Sequence, residues 1–300
     1  MDIPLTSIRS QSSLIPIDVS AFATCRLIQG NVDHYFKQDR VIGKGGFGEV
    51  YTAFVLPAGK ELHADMPNYV AIKSIQIQED TDFETLRNEI EVLKIVTEKH
   101  LVYGVKYYGC LVKGERIYIV MEYINGHNLD VILFKEPVLL GMPFLSQEKL
   151  NYIARQILAA IKELHSLDIA HRDIKIENVI LLPDGRIKLL DYGLSCALSY
   201  NKNAIGCVND VGTLGYQDEK LIPGDLESMK SADLWAFGQI LVILFLNRYW
   251  GTYNPIRQHY MNVPDASLAG LPVKLKALIK NLTNKNIEQK DRLKVQEINL

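Results

Sequence analysis

Gly43-Lys44-Gly45-Gly46-Phe47-Gly48-Glu49-Val50 is the first stretch of the chain whose residue types could do chemistry. Glycines at this spacing remove the Cβ atoms that would keep backbone N–H groups away from phosphate oxygens. A dinucleotide site would need a helix directly after the glycines and an acidic residue about 20 positions on; here Glu49 to Val55 reads as a strand. A Walker-type loop is excluded because no Gly-Lys-Ser/Thr follows. Taken alone, the run reads equally well as a β-turn. Val70-Ala71-Ile72-Lys73 comes next, and a lysine among apolar neighbours is by default a solvated strand-face residue. In the blandest reading, His171-Arg172-Asp173-Ile174-Lys175-Ile176-Glu177-Asn178 is a charged loop between a helix and a strand. The order of the three segments is what gives them meaning together.

The third segment matches H-R-D-L-x-x-x-N at four of five fixed positions, with Ile174 for Leu, and here the sequence resembles the eukaryotic protein kinases. The resemblance implies that Asp173 accepts the proton of an attacking hydroxyl and that Asn178 supplies an amide oxygen to Mg2+. Lys175 matches the lysine that Ser/Thr-directed members keep beside the transferring phosphoryl group. Lys73 becomes the group that grips the α and β phosphates of ATP, and an ammonium in a partly dry cleft needs an anionic neighbour. Glu89, on the helical face carrying Ile90 and Leu93, is that candidate; without Lys73 it would read as a solvated glutamate like Glu84 or Glu91. Asp191-Tyr192-Gly193 resembles D-F-G, with Asp191 as the other metal ligand. Tyr192 in place of Phe adds a hydroxyl that needs a partner if buried. One carboxylate and one carboxamide suffice for magnesium, which keeps phosphate oxygens and waters.

Carried onto the remaining positions, the resemblance assigns Ile42, Gly43, Lys44, Gly45, Gly46, Phe47 and Gly48 to the nucleotide. Val50, Ala71 and Ile180 would sandwich the adenine, Met121 would lie behind it, and the backbone from Glu122 to Ile124 would bond its edge. Gly212-Thr213-Leu214-Gly215-Tyr216-Gln217-Asp218-Glu219 is a degraded copy of G-T-x-x-Y-x-A-P-E, one residue short and lacking Ala-Pro. It leaves Glu219 as the expected partner of Arg292, and Thr213 facing Asp173 and Lys175, which favours serine or threonine acceptors. Ser231-Ala232-Asp233-Leu234-Trp235-Ala236-Phe237-Gly238 is similar to S-D-x-W-S-F-G, so Asp233 is expected to cap a buried helix and bind the catalytic-loop backbone. Arg172 is the expected receiver of a phosphate on Ser195, Ser199 or Tyr200, the alternative being a fixed negative charge from Asp210. Glu177 is either an attractor of a basic substrate residue or a solvated loop charge, and both readings stand.

The elements that must position these groups follow from periodicity. Phe36 to Ile42, Glu49 to Val55, Tyr69 to Ile77, Val105 to Val112 and Arg116 to Tyr123 are β-like runs, expected to form a small antiparallel sheet. Phe83, Leu86, Ile90, Leu93 and Val96 recur at helical spacing, predicting one amphipathic helix on that sheet. Beyond Gly126 the pattern is helical at 150–164, 234–246 and 271–282, with a short hairpin within 179–190. The expected fold class is α+β: a bilobal kinase-like fold with a small antiparallel-sheet N-lobe at 34–124 and a larger α-rich C-lobe at 125–300. Together these form one catalytic domain from about 35, with a ligand cleft between lobes. Residues 1–33 are an extension that would be disordered, a docking segment for regulators, or a brace. The loop 56–68 is longer than the fold needs.

Composition narrows the classes. Three hundred residues, 48% hydrophobic and 23% charged, describe an ordinary globular chain. The formal charge of −2 gives no basic excess for nucleic acid. Leu234 to Leu246 contains Gln239 and falls short of the roughly 20 residues of a membrane span, so it is expected to be a buried helix with no membrane insertion. Cys25, Cys110, Cys196 and Cys207 show no C-x-x-C pattern and are expected to be reduced thiols. The start shows neither a signal-peptide pattern nor a myristoylation glycine. The expected setting is cytoplasmic, the nucleus remaining open. The expected activity is ATP- and Mg2+-dependent transfer to Ser/Thr hydroxyls of protein substrates. The alternatives are a pseudokinase scaffold with little turnover and a small-molecule or lipid kinase sharing the fold.

Overall fold

The computed structural model describes residues 26–27, 31–45, 48–78, 83–135, 145–197, 207, 212–213, 215–246, 268–284, 286–292 and 294–300. They fall into two units, one of Met1–Glu98 with Val105–Ile124, the other of Lys99–Gly104 with Asn125–Leu300.

The first unit is built on β1 (Arg26–Leu27), β2 (Phe36–Gly45), β3 (Gly48–Val55), α1 (Pro57–Lys60), β4 (Tyr69–Gln76), α2 (Phe83–Glu98), β5 (Tyr107–Lys113) and β6 (Arg116–Glu122). The sheet order is β1-β5-β6-β4-β3-β2. Five strands pair antiparallel, as the alternating pattern predicts. The sixth, β1, comes from the N-terminal extension and lies parallel to β5, Arg26 opposite Leu111 and Leu27 opposite Val112. A two-residue strand carries no readable period, so sequence alone does not reveal it.

Period-2 alternation gives the sheet two different faces. On one, Tyr51, Ala53, Val70, Ile72 and Val120 join Phe36, Tyr108 and Leu111 in a buried cluster. The long loop after β3 covers this cluster: Met66 is buried in it and Leu62 packs against it. Lys60 Nζ donates to Met66 O at 2.7 Å, closing the loop on itself. Gly59 is required there, since a Cβ would stand 2.4 Å from Tyr35 O. The extra residues thus shield an apolar face that would otherwise meet water. In α2, Leu86, Ile90, Leu93 and Val96 are buried at the expected spacing. Thr97 Oγ1, in its last turn, accepts from Tyr107 N at 2.7 Å and ties the helix to β5.

In the second unit β7 (His127–Asn128), β8 (Val179–Leu181) and β9 (Ile187–Leu189) form a small antiparallel sheet. Beside it stand α3 (Gln147–Ser166), α4 (Leu226–Leu246) and α5 (Val273–Leu282), α4 in contact with both other helices. Ser146 caps α3 by accepting from Lys149 N. The segment Lys99–Gly104 belongs to this unit: Tyr103 O accepts from Leu189 N at 2.8 Å, and Gly104 O from Lys188 Nζ at 2.7 Å.

By length and composition alone α4 could cross a bilayer. Its Met229, Leu234, Trp235, Phe237, Ile240 and Leu241 are instead buried within the unit, as expected of a core helix. Its start departs from expectation. The helix begins at Leu226, and Asp225 Oδ1 accepts from Glu227 N and Ser228 N. Asp233 therefore lies inside α4 and caps nothing, because the helix extends upstream of the apolar run from which its start was read.

The reduced-thiol expectation is also corrected. Cys196 and Cys207 are joined by a disulfide, their Cα atoms 5.2 Å apart, and Cys110 is disulfide-bonded too. Residues 11 apart in sequence give no pairing signature; the fold brings them together. The argument for an intracellular setting from free thiols falls with it.

Candidate active site

In the first unit, pairing register collects the nucleotide candidates on one sheet face. Val50 pairs with Lys73, and Ala71, two residues before Lys73, pairs with Met121. Residues directly opposite, or two apart on a strand, point the same way. From this face Lys73 Nζ reaches Glu89 Oε1 at 2.6 Å and Oε2 at 2.7 Å, the two side chains 14% and 7% exposed. A largely desolvated pair with both carboxylate oxygens engaged holds the ammonium at one point. Glu91, by contrast, forms a half-exposed pair with Arg87 along α2.

The glycine run closes the β2–β3 hairpin. Gly43 pairs with Val50, Lys44 with Glu49 and Gly45 with Gly48, after register irregularities near Val41; Gly46 and Phe47 lie outside the described residues. The two outer glycines have different reasons to be there. A Cβ on Gly43 would meet nothing nearer than Val50 Cβ at 3.8 Å, so its backbone is open to a ligand. Gly48 has φ +128°, and a Cβ there would fall 2.2 Å from Ser74 O. Gly48 lets β3 pass β4, a structural need that the phosphate reading alone does not include. Ile42 is exposed, and Lys44 forms an open ion pair with Glu49 at 3.1 Å. Glu122 spends its side chain on the sheet, Oε2 accepting from Lys106 N at 3.2 Å, and Ile124 is buried. Ile180 is half-buried on β8 of the second unit.

In the second unit the loop after α3 is anchored from beneath by α4. Asp233 Oδ2 accepts from His171 N at 2.8 Å and Oδ1 from Arg172 N at 2.7 Å, while His165 Nε2 lies 2.9 Å from Oδ2. All four residues are buried. The expected contact of Asp233 with the loop backbone is therefore present. His165, at the end of α3, is a further member that nothing in its sequence context singles out. Arg172 adopts φ +65°, a left-handed conformation costly for a side-chain-bearing residue and held here by the two hydrogen bonds to Asp233.

Above this floor four side chains converge. Asn178 Nδ2 donates to Asp173 Oδ2 and Asp173 O, both at 2.9 Å. Lys175 Nζ lies 2.7 Å from Asp173 Oδ2 and donates to Thr213 Oγ1 at 2.7 Å. Thr213 Oγ1 donates to Asp173 Oδ1 at 2.6 Å. The carboxylate of Asp173 is thus held at both oxygens. With its nitrogen committed to Asp173, the Asn178 carboxamide has a fixed orientation. Leu190 N donates to Asn178 O at 2.8 Å, linking this loop to the residue before Asp191.

Asp191 is exposed with φ +64°, and its Oδ1 accepts from Gly193 N at 3.4 Å. Tyr192 is buried, and its added hydroxyl has the partner it needs: it donates to Leu189 O at 3.1 Å. Its ring lies 5.3 Å from that of His171. Asp191 and Asn178 offer a hard-oxygen pair suited to Mg2+ that retains phosphate and water ligands. Among the described residues no group of three or more His, Cys, Asp or Glu is arranged to hold a metal unaided.

Two expectations change here. Arg292 pairs with Asp218 at 2.6 Å, both side chains buried, while Glu219 is exposed. With Ala-Pro missing the loop is short, and the earlier, shorter carboxylate occupies the buried position. Ser195, one of three proposed phosphate acceptors, is fully buried and donates to His171 O at 3.3 Å, so it presents no hydroxyl to solvent. Ser199, Tyr200 and Asp210 lie outside the described residues. Glu177 is not simply a solvated loop charge: it is partly buried, and burial, with Asp130 nearby, raises its carboxyl pKa above the ordinary range although Tyr216 Oη approaches Oε2 at 3.4 Å.

Residues 36–299 match the protein kinase domain family. Among curated proteins, the chain is 32% identical over 208 residues to the serine/threonine-protein kinase dst2 of Dictyostelium discoideum, covering 68% of this chain and 16% of that protein. It is 31% identical over 255 residues to the serine/threonine-protein kinase shk2 of Schizosaccharomyces pombe, covering 85% and 40%. With the serine/threonine-protein kinase KIC1 of Saccharomyces cerevisiae it shares 28% identity over 215 residues, covering 71% and 18%. The matches therefore span between 16% and 40% of the length of these relatives.

Proposed function

The chain belongs to the protein kinase family, and from that premise we propose that it transfers the γ-phosphoryl group of ATP to serine or threonine hydroxyls of protein substrates. The observation that carries this reading is the carboxylate of Asp173, buried and held at both oxygens by Asn178, Lys175 and Thr213. Bound Mg–ATP supplies the reacting phosphoryl group and neutralises its charge. The chain's own residues bind and align. Lys73, fixed by Glu89, would hold the α and β phosphates, and the backbone at Gly43 would face phosphate oxygens. Asn178 and Asp191 would hold the metal ion. Asp173 orients the acceptor hydroxyl and takes its proton as the new O–P bond forms and the bond from the γ phosphorus to the bridging oxygen breaks, releasing ADP. Lys175 places a positive charge beside that event. Val50, Ala71 and Met121 form the apolar bed of the adenine.

Acceptor preference follows from Thr213, whose hydroxyl occupies the space between Lys175 and Asp173 and matches the pattern of serine- and threonine-directed members. The names of the relatives support the same choice. The test is phosphate transfer from radiolabelled ATP to a degenerate peptide library, with Asp173→Ala as control. Label should appear on serine and threonine, and the variant should lose about 10²- to 10⁴-fold in kcat. Equal turnover by the variant would refute the assignment.

A further inference from the structure

The Cys196–Cys207 bond lies outside the chemistry assigned above, yet it touches the elements that carry that chemistry. Both cysteines are buried in an apolar cluster with Ala170 and Met229, against which Leu221 and Leu226 pack. Cys196 exchanges two backbone hydrogen bonds with Ala170, at 2.9 and 2.8 Å, and Ala170 directly precedes His171. On the other side, Cys207 O accepts from Gly224 N at 2.9 Å, on the chain entering α4. Thr213, six residues after Cys207, is the group that reaches Asp173 and Lys175. The bond therefore joins the stretch after Asp191-Tyr192-Gly193 to the stretch leading to Thr213, beside the backbone of the catalytic loop.

We propose that Cys196 and Cys207 form a redox-modification site, and that their disulfide holds the Thr213-bearing segment against the catalytic loop. A domain of this size buries enough core to fold without a disulfide, so this bond is free to serve another purpose. Cysteine thiols are readily buried in apolar surroundings, so the cluster accommodates the reduced pair as well. The chemistry balances as thiol–disulfide exchange with glutathione disulfide. Because both sulfurs are buried, exchange proceeds when the segment opens locally: one cysteine thiolate attacks glutathione disulfide, forming a mixed disulfide and expelling a glutathione thiolate, and the second thiolate displaces the other glutathione and closes the bond. Two protein thiols are oxidised, one glutathione disulfide is reduced to two glutathione molecules, and the protons of the cysteine thiols pass to the released thiolates. The oxidised form is the competent one, because with the bond closed Thr213 stands on Asp173.

The effect on phosphate transfer rests on the kinase reading; the effect on the segment does not. The full chain is equilibrated in glutathione buffers of graded ratio. Differential alkylation with mass spectrometry reads the state of each cysteine, hydrogen exchange reads residues 212–221, and peptide phosphorylation reads turnover. Reduction of Cys196 and Cys207 should raise exchange at 212–221 about fivefold or more and lower peptide kcat/KM by a similar factor. The affinity for ATP should change less than twofold. The double variant C196S/C207S keeps the bridge of Cys110, and its exchange at 212–221 should match the reduced protein and ignore the buffer. If the bond never forms or never opens at any ratio, or exchange at 212–221 is the same in both states, the proposal fails. It fails too if the double variant still responds, which assigns the response to Cys110. Exchange that follows the redox state while neither form phosphorylates peptide would uphold this site and overturn the kinase activity instead.

Discussion

Arg292 and Asp218 form a buried ion pair, Nη1 to Oδ2 at 2.6 Å, with side chains 1% and 3% exposed. Gln289 Nε2 donates to the same carboxylate oxygen at 2.9 Å, Ser231 O and Oγ accept from Arg292 Nη1, and the guanidinium carbon lies 5.2 Å from the Trp235 ring centroid. Two adjacent carboxylates in the sequence thus have unequal roles. Removing one partner of a buried pair strands the other charge, so Asp218→Ala should cost about 3–5 kcal/mol. Glu219→Ala, on the surface, should stay within about 0.5 kcal/mol. Urea denaturation of both variants checks this, and equal effects would overturn the assignment.

The glycine run offers a separation of fold from function within six residues. Gly48→Ala places a Cβ against Ser74 O and demands a left-handed-side φ of an alanine, so it should lose more than about 1 kcal/mol of stability and lower the Tm. Gly43→Ala meets only the Val50 Cβ at van der Waals distance and should leave the Tm within about 2 °C. If Gly43 lies against a phosphate, that variant should still weaken ATP binding. Calorimetry with Mg–ATP beside thermal melts distinguishes the two, and a Gly43→Ala protein with native affinity would remove Gly43 from the phosphate site.

What the sequence reveals and conceals follows from the range of each signal. Strands β2 to β6 and helices α2, α3 and α5 are legible because their burial repeats with a local period. The Lys73–Glu89 contact is legible because a strand cation and an inward-facing helix acid have few other ways to be satisfied. Asp218 is concealed because Asp218 and Glu219 are neighbours of the same charge, and the missing Ala-Pro removes the spacing that would choose between them. The Cys196–Cys207 bond depends on a chain reversal that no local pattern records. The loop 56–68 hides its purpose for a related reason: Leu62 and Met66 obey no period, since they cover a surface formed by distant strands. The start of α4 is misread because the polar residues at 226–233 mask a helix already capped by Asp225.

Thr213 touches both Asp173 and Lys175, and this makes it a positioning residue whose hydroxyl is what counts. Thr213→Val keeps the shape but leaves Asp173 Oδ1 and Lys175 Nζ each without that partner. Leaving such groups unsatisfied costs about 1–3 kcal/mol, so peptide kcat should fall about tenfold while the KM for ATP changes little. Thr213→Ser restores the hydroxyl and should recover most of the rate. Steady-state kinetics on a serine peptide measures all three proteins; a valine variant with wild-type kcat, or a serine variant as slow as valine, would exclude the role.

Glu177 sets a pH dependence whose sign can be worked out. Burial raises its folded pKa above the ordinary 4.5, with the Asp130 charge adding to the effect and Lys175 and Tyr216 opposing it. The unfolded chain therefore ionises first as pH rises. The stability this group contributes is fully present below pH 4.5 and is lost as pH climbs through the raised folded value. Above that window the folded protein carries a partly buried charge at a cost. Glu177→Gln retains the size and an oxygen to accept from Tyr216, and removes the ionisation. Since the group keeps substantial solvent contact, the gain at pH 7 is small, a Tm rise of about 1–2 °C. Below pH 4.5 the two proteins should melt together, and the gap should open only as pH rises. Thermal melts from pH 4 to 8 measure it; a gap that is constant across the range would show that Glu177 does not titrate in this window.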